Sequence, residues 1–498
     1  MSPSHSSPPP PPLESRILRK LDTNLLPLVC ALFLLSFLDR SNVGNARTAG
    51  MERDLHFSPN GKGAHTYDWL LTIFYISYIC FEPLILGWKV VKPHIWGAGV
   101  TFSWGLISTL QAVTTSWSGM MALRFLLGAA EAAYGPGIIY LLTFFYLRRE
   151  IGLRIGVFLS MAPLATCFAG ALAYAITREQ SSVAPWRLLF IVEGIPTVLM
   201  SVVVWLFLPD GPHSARFLTA EEQAVAADRE VRQVGTTARI GGLKWTDAKE
   251  SFLDVKSWLQ ALMYFSCNTA YGSLPVFLPT FLQESLGFGS IDAQRLTAPP
   301  YFLSFVITIL TPWVADRLQQ RGWMIVLLSC VGAVGYVLLA TVEDVWVRYF
   351  AVFLAAGGVF PAISNVLPWV TNNQGSETGR GVAVVVLNLV GQCGPVLGTR
   401  VYPTNEGPRY IKGHAICAGF LFFNAFVALV LRTYLKWQNG KWDRQFGTVE
   451  EQKARGVQRE TVIEEKQEAL AEEKGEEKGA VNEEVGTENY GPLYRYVL

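Results

Sequence analysis

The chain has 498 residues, 51% of them hydrophobic and only 16% charged, with a formal net charge of +1. A soluble chain of this length carries about 25% charged residues, so an ordinary soluble domain is excluded, and no basic patch with interleaved aromatics points to nucleic acid. The charge is gathered at both ends and in one central stretch, while long apolar runs such as Leu25 to Leu38 and Ile195 to Leu208 recur between them.

Residues 1–20 hold the run Pro8 to Pro12 and then Arg16, Arg19 and Lys20. Such a leader cannot bury a core and is expected to be a disordered cytosolic arm. The first apolar run follows this polar leader and continues into Asp39-Arg40-Ser41-Asn42. It therefore predicts a spanning helix rather than a cleavable signal. A span needs roughly 20 mainly apolar residues, and six are predicted over 24–46, 66–88, 95–114, 119–147, 152–177 and 187–208. They make an N-terminal half, 21–208. A polar stretch with Glu221, Glu222, Asp228, Arg229, Glu230 and Arg232 forms a central cytosolic loop, 209–255. Six more spans follow over 256–282, 298–317, 323–341, 345–370, 380–402 and 413–436, the C-terminal half being 256–436. The remainder, 437–498, is a charged cytosolic tail with Glu and Lys blocks at 464–478. The seven cysteines lie in apolar segments without C-x-x-C spacing, which suits small buried residues better than disulfides or metal ligands.

Lys and Arg in short loops set orientation. Lys89 and Lys92, Arg148, Arg149 and Arg154, and Arg317 and Arg321 fall on one side, the cytosolic one, with both termini. Arg47, Arg53 and Lys62 run against the trend. The halves also resemble each other. Arg124 precedes Pro136 by 12 and Arg154 by 30; Arg348 precedes Pro361 by 13 and Arg380 by 32. Two six-helix halves related by such a repeat predict an all-α membrane protein of twelve helices in the major facilitator arrangement, with a solute site between the halves.

A charge at a helix centre costs about 2.5–3.5 kcal/mol on insertion scales, so it needs a partner or a task. Asp39 and Arg40 end the apolar run of the first helix; Arg124 and Glu131 share a face of the fourth, two turns apart. Arg40 and Arg124 are candidate substrate-binding residues, because a guanidinium binds a carboxylate through two parallel hydrogen bonds. Asp39 and Glu131 are candidate proton-coupling residues, because a carboxyl group removed from water favours its neutral form. The bland alternative is that all four form buried salt bridges between helices. Glu82 and Glu193 lie nearer span ends and are expected to pair structurally, Glu193 near Arg187. Further candidates for lining the site are Tyr75, Asn268, Tyr271, Trp369, Asn373, Asn388 and Gln392, although aromatic stripes at helical spacing are more often packing. Gly394-x-x-x-Gly398 predicts close helix contact.

These residues resemble the anion:cation symporters of the major facilitator superfamily, in the fungal branch of allantoate, nicotinate and pantothenate permeases. The resemblance is carried by FLDRSNVGNA at 37–46, RFLLGAAEAAYGPG at 124–137, FFYLRREIGLR at 144–154, WRLLFIVEGIPT at 186–197, LPDGPHSARFLTAEE at 208–222, GPRYIKG at 407–413 and the ending LYRYVL. It implies proton-coupled uptake of a small organic anion, a vitamin-like carboxylate or ureide, by a monomer in the plasma membrane without cofactor or metal. It also implies site roles for Asp39, Arg40 and Glu131, with Arg124 beside them. The branch usually has Gly and a Lys-Arg pair after the tenth helix; Ser376 and Gly379 stand at the Gly and Lys positions, which bears on substrate identity. Sequence leaves the direction of flux open, so export of a fungal secondary metabolite is the alternative. A membrane-embedded enzyme or channel is disfavoured, since no paired-His motif, nucleophile elbow or phosphate loop is present.

Overall fold

The computed structural model describes residues 12–56, 66–178, 182–226, 245–374, 377–448, 451 and 495–498. The proline run before Pro12, Lys62, Ser376, Asp228 to Arg232 and the charged blocks at 464–478 lie outside them. The described chain is helical. Its long helices are α1 (Pro12–Thr48), α2 (Thr66–Phe81), α3 (Pro93–Leu110), α4 (Trp117–Ala132, continued by Gly135–Leu142), α5 (Arg148–Arg178) and α6 (Pro185–Phe207) in the first half. The second half has α7 (Val255–Thr280), α8 (Ser290–Leu318), α9 (Arg321–Thr341), α10 (Val345–Asn372), α11 (Glu377–Gly391, continued by Cys393–Gly398) and α12 (Ile411–Phe446).

Ten of these are long and apolar enough to cross a membrane. The other two, α3 and α7, stand at the third and seventh places of the expected series. In α7 the shortfall has a physical cause: Ser257, Gln260, Ser266, Asn268, Thr269 and Ser273 are all buried, so its polar groups meet protein instead of lipid. The outward faces are apolar, as with Leu199, Val202 and Trp205 on α6 and Phe426 on α12, all exposed. Side-chain caps start several helices. Ser116 accepts from Gly119 N–H at 3.2 Å, and Asp344 accepts from Val347 N–H at 2.9 Å, satisfying donors that a helix start leaves open.

Two glycine contacts set how closely the helices approach. A Cβ on Gly44 of α1 would lie 2.4 Å from the Val276 carbonyl oxygen of α7, across the two halves. Gly394 and Gly398 of α11 approach the Phe265 and Thr269 carbonyls of α7 equally closely, which is the tight packing that their spacing predicts. The halves are tied at the end opposite the basic loops. Thr72 and Thr399 hydroxyls meet at 2.8 Å, Arg400 Nε donates to Thr72 Oγ1 at 3.2 Å, and Thr177 Oγ1 donates to Gln294 Oε1 at 2.7 Å.

Two boundaries differ from the sequence reading. α1 begins at Pro12, inside the stretch expected to be an arm, and there Lys20 and Arg16 reach Glu222 at 2.6 and 3.2 Å. Glu222 belongs to the central stretch, which thereby packs on the start of α1. At the other end α12 runs to Phe446, beyond the expected end at 436. Residues 495–498 return to the helical bundle, as described below.

Candidate functional site

The site is assembled by α1, α3, α4 and α6 around charges that are far apart in sequence. Arg40 Nε donates to Glu131 Oε2 at 2.7 Å, and Ser36, one turn earlier on α1, donates to the same oxygen at 3.0 Å. The Arg40 guanidinium also lies over the rings of Tyr78 and Phe74 of α2, at 4.7 and 5.3 Å. These contacts hold the cation in a fixed direction, since ring faces attract it. Asp39 is buried and its Oδ1 accepts from Ser108 of α3 at 2.5 Å.

Arg124 is the least satisfied member. It is 2% exposed, yet its Nε and Nη2 find no hydrogen-bond acceptor in the protein. Its guanidinium lies over the ring of Phe190 of α6, at 5.7 Å, and it stands within electrostatic reach of Tyr67, Glu131, Asp39 and Glu193. Asp39 Oδ2, Glu131 Oε1, both oxygens of Glu193 and both side-chain heteroatoms of Asn42 and Gln111 are likewise buried without partners. Buried polar atoms are normally paired, so the unpaired ones on α1, α3, α4 and α6 make this cluster a candidate site. Of the four charges expected at the site, Arg40 and Glu131 form an ion pair, whereas Asp39 and Arg124 form none.

The expectation that Glu82 and Glu193 pair structurally is not met. Arg187 instead donates to the Ala112 and Thr114 carbonyls at 2.6 and 2.9 Å, so it secures the end of the α3 segment. Glu193, within electrostatic reach of Asp39 and Arg124, and Glu82 are both buried with neither oxygen bonded. Sequence reasoning missed Ser36 and Ser108, and it discounted Glu193. A usable signal for Ser36 was its spacing of four from Arg40, one helical turn on the same face.

The C-terminal half contributes rings and amides. Tyr271 of α7 lies 5.4 Å from Phe37 and 4.8 Å from Phe360 of α10, so three rings from both halves meet one turn from Arg40. Tyr75 is buried beside Phe74. Asn268 donates to the Gly391 carbonyl at 3.2 Å, a bond between α7 and α11. Asn388 and Gln392 are buried on α11. Trp369 and Asn373 stand apart: at the basic end of α10, both are bonded to Val497, at 2.8 Å from Trp369 Nε1 and 3.0 Å from Asn373 Nδ2. No group of His, Cys, Asp or Glu able to hold a metal ion occurs among the described residues.

Comparison with known proteins identifies the family. The family description "Major Facilitator Superfamily" matches residues 29–399. The MFS transporter prlL of a fungus is 35% identical over 440 residues, covering 86% of this chain and 88% of the relative. The high-affinity nicotinic acid transporter of Saccharomyces cerevisiae is 28% identical over 441 residues, with 88% and 80% covered. Among solved structures, a proton:xylose symporter superposes with a TM-score of 0.62 at 14% identity, covering 85% of this chain and 96% of the other. A bacterial homologue of the lysosomal transporter Spinster, inward-facing, has a TM-score of 0.61 at 16% identity, with 86% and 99% covered. The chain belongs to the Major Facilitator Superfamily and is a multi-pass integral membrane transporter of small molecules, not an enzyme.

Proposed function

We propose that this transporter carries a small organic anion, a vitamin-like carboxylate, into the cell together with a proton, as an anion:cation symporter. The observation that carries this reading is Arg124, a fully buried guanidinium with two nitrogens unbonded among three carboxyl groups. An anionic carboxylate is the ligand such a fork accepts through two parallel bonds. The three rings Phe37, Tyr271 and Phe360 give the rest of a small planar anion an apolar wall.

Proton coupling follows from charge balance. Arg40 and Arg124 supply two positive charges; Asp39, Glu131 and Glu193 supply three negative ones when all are ionised. Isolated charge is costly away from water, so one bound proton brings the empty site to neutrality. An arriving anion then favours a further proton, which is the symport linkage. Asp39 and Glu131 remain the proposed proton-coupling pair, with Glu193 joining them. The nicotinic acid transporter among the relatives supports an anionic cargo. The loop charges support an orientation with both termini in the cytosol, and a monomer is sufficient, since all the named groups come from one chain.

The test is uptake of labelled carboxylates into cells expressing the protein, at acidic and neutral external pH, beside Arg124→Gln. Uptake of one anion, stronger in acid and lost in the variant, is the expected result. Absence of uptake by correctly placed protein, with loss of secretion on gene disruption, would reverse the direction to export.

A further inference from the structure

We propose that residues Arg495–Leu498 are a peptide ligand for a groove in the same chain, and that their seating latches the basic ends of α7, α9, α10 and α12. The pattern of bonds is that of peptide recognition. Val497 N–H donates to Asn373 Oδ1 at 2.8 Å, while Asn373 Nδ2 donates back to the Val497 carbonyl at 3.0 Å. The neighbouring residue repeats the device on the opposite wall: Tyr496 N–H donates to Asn439 Oδ1 at 2.8 Å and Asn439 Nδ2 to the Tyr496 carbonyl at 3.0 Å. Successive residues of an extended chain direct their backbone groups to opposite sides. Two asparagines, one capping the end of α10 and one on α12, therefore read the backbone of two consecutive residues as neighbouring strands would.

Side chains add identity to this backbone readout. Lys256, at the start of α7, donates to the Tyr496 hydroxyl at 2.8 Å and lies 4.2 Å from the ring centre. Arg495 Nε donates to Asp443 Oδ1 at 2.7 Å, and Gly322 N–H at the start of α9 donates to the Leu498 main-chain oxygen at 3.3 Å. The groove thus prefers a short extended peptide with a basic, then an aromatic, then aliphatic residues. Trp369 and Asn373 are fully buried under it, so departure of the segment strips both of their partner.

The consequence for transport follows from position. α7 and α10 also carry Tyr271 and Phe360, the rings that face Phe37 of the other half. Alternating access requires one half to rock against the other around the site. A ligand that binds one arrangement of these helix ends shifts the population toward it. This effect rests on the chain being a transporter, and not on the proposed anion or proton.

The experiment is hydrogen–deuterium exchange on the purified full chain, which needs no substrate and so stands or falls apart from the symport reading. Tyr496 and Val497 amides should exchange about tenfold or more slowly than in a synthetic peptide of residues 489–498. Val497→Pro, which removes one donor outside the helices, should abolish that protection and speed exchange at the start of α7 and the end of α10. Excess synthetic peptide should restore the slow exchange of those helix ends in the variant. Asn373→Ala gives the same release from the groove side. Tail amides as fast as the free peptide would overturn the groove; helix ends indifferent to Val497→Pro or to added peptide would overturn the latch.

Discussion

Arg124 of α4 and Arg348 of α10 occupy matching places in the two repeated halves, yet their surroundings differ. Arg348 donates from both terminal nitrogens to Ser285, at 3.0 Å to its carbonyl and 2.5 Å to its hydroxyl. Arg124 has no such acceptor and stands among carboxyl groups. One guanidinium is a strut that holds the α7–α8 turn; the other is left with its Nε and Nη2 unbonded. A repeat in sequence therefore carries over the position of a charge but not its task. The N-terminal half concentrates the charged chemistry, while the C-terminal half offers rings, close glycine packing and the seat for residues 495–498.

The largest effect expected on that contrast is from Glu131→Gln. Unlike a change at an unpaired carboxyl, it leaves the buried Arg40 guanidinium without its charged partner, a loss of about 2–5 kcal/mol, so anion uptake should be abolished and the amount of folded protein should fall as well. Uptake close to that of the unaltered chain would remove the N-terminal half from the chemistry.

Next come the matched arginines. Arg124→Gln should abolish uptake while leaving the amount of folded protein nearly unchanged, because it bonds to nothing that would be left behind. Arg348→Gln should lower thermal stability by about 1–3 kcal/mol through the orphaned Ser285 carbonyl, with the KM of the surviving protein unaltered. Melting curves and uptake kinetics of both variants decide the matter, and an exchange of phenotypes would break the comparison.

A smaller and sharper effect is expected from Glu193→Gln. An amide imitates the protonated carboxyl, so uptake should persist and its rise on acidification should flatten. An unaltered pH profile would return Glu193 to a structural role.

The smallest effect lies outside the membrane. The Lys20 ammonium and the Thr219 N–H hold the Glu222 carboxyl below its usual range. A depressed folded value adds stability above the unfolded value, here 4.5, that is lost as pH falls through the folded one. The unaltered chain should thus melt slightly above Glu222→Gln at neutral pH, and the two curves should converge only in acid below 4.5.

The helices were legible because the bilayer imposes length and apolarity on each segment independently of its neighbours. The Gly394-x-x-x-Gly398 contact was legible for the same local reason: absent side chains let backbones approach. The start of α1 was not: there Lys20 meets Glu222, 202 residues away in the chain. Trp369 and Asn373 looked like cavity residues from their place at the end of α10, and nothing local announced that Val497 would take their bonds.

Sequence alone determined that the chain crosses a membrane many times, that its halves repeat, and that Asp39, Arg40, Arg124 and Glu131 are charges in an apolar setting. Those are properties of single segments, fixed by composition and period. Tertiary structure alone decided which of the charges are satisfied. Ser36 meets Glu131 across 95 residues and Ser108 meets Asp39 across 69, while Arg124 meets no acceptor. A hydrogen bond holds only over about 3 Å, and which distant helices come that close is settled by the packing of the whole bundle.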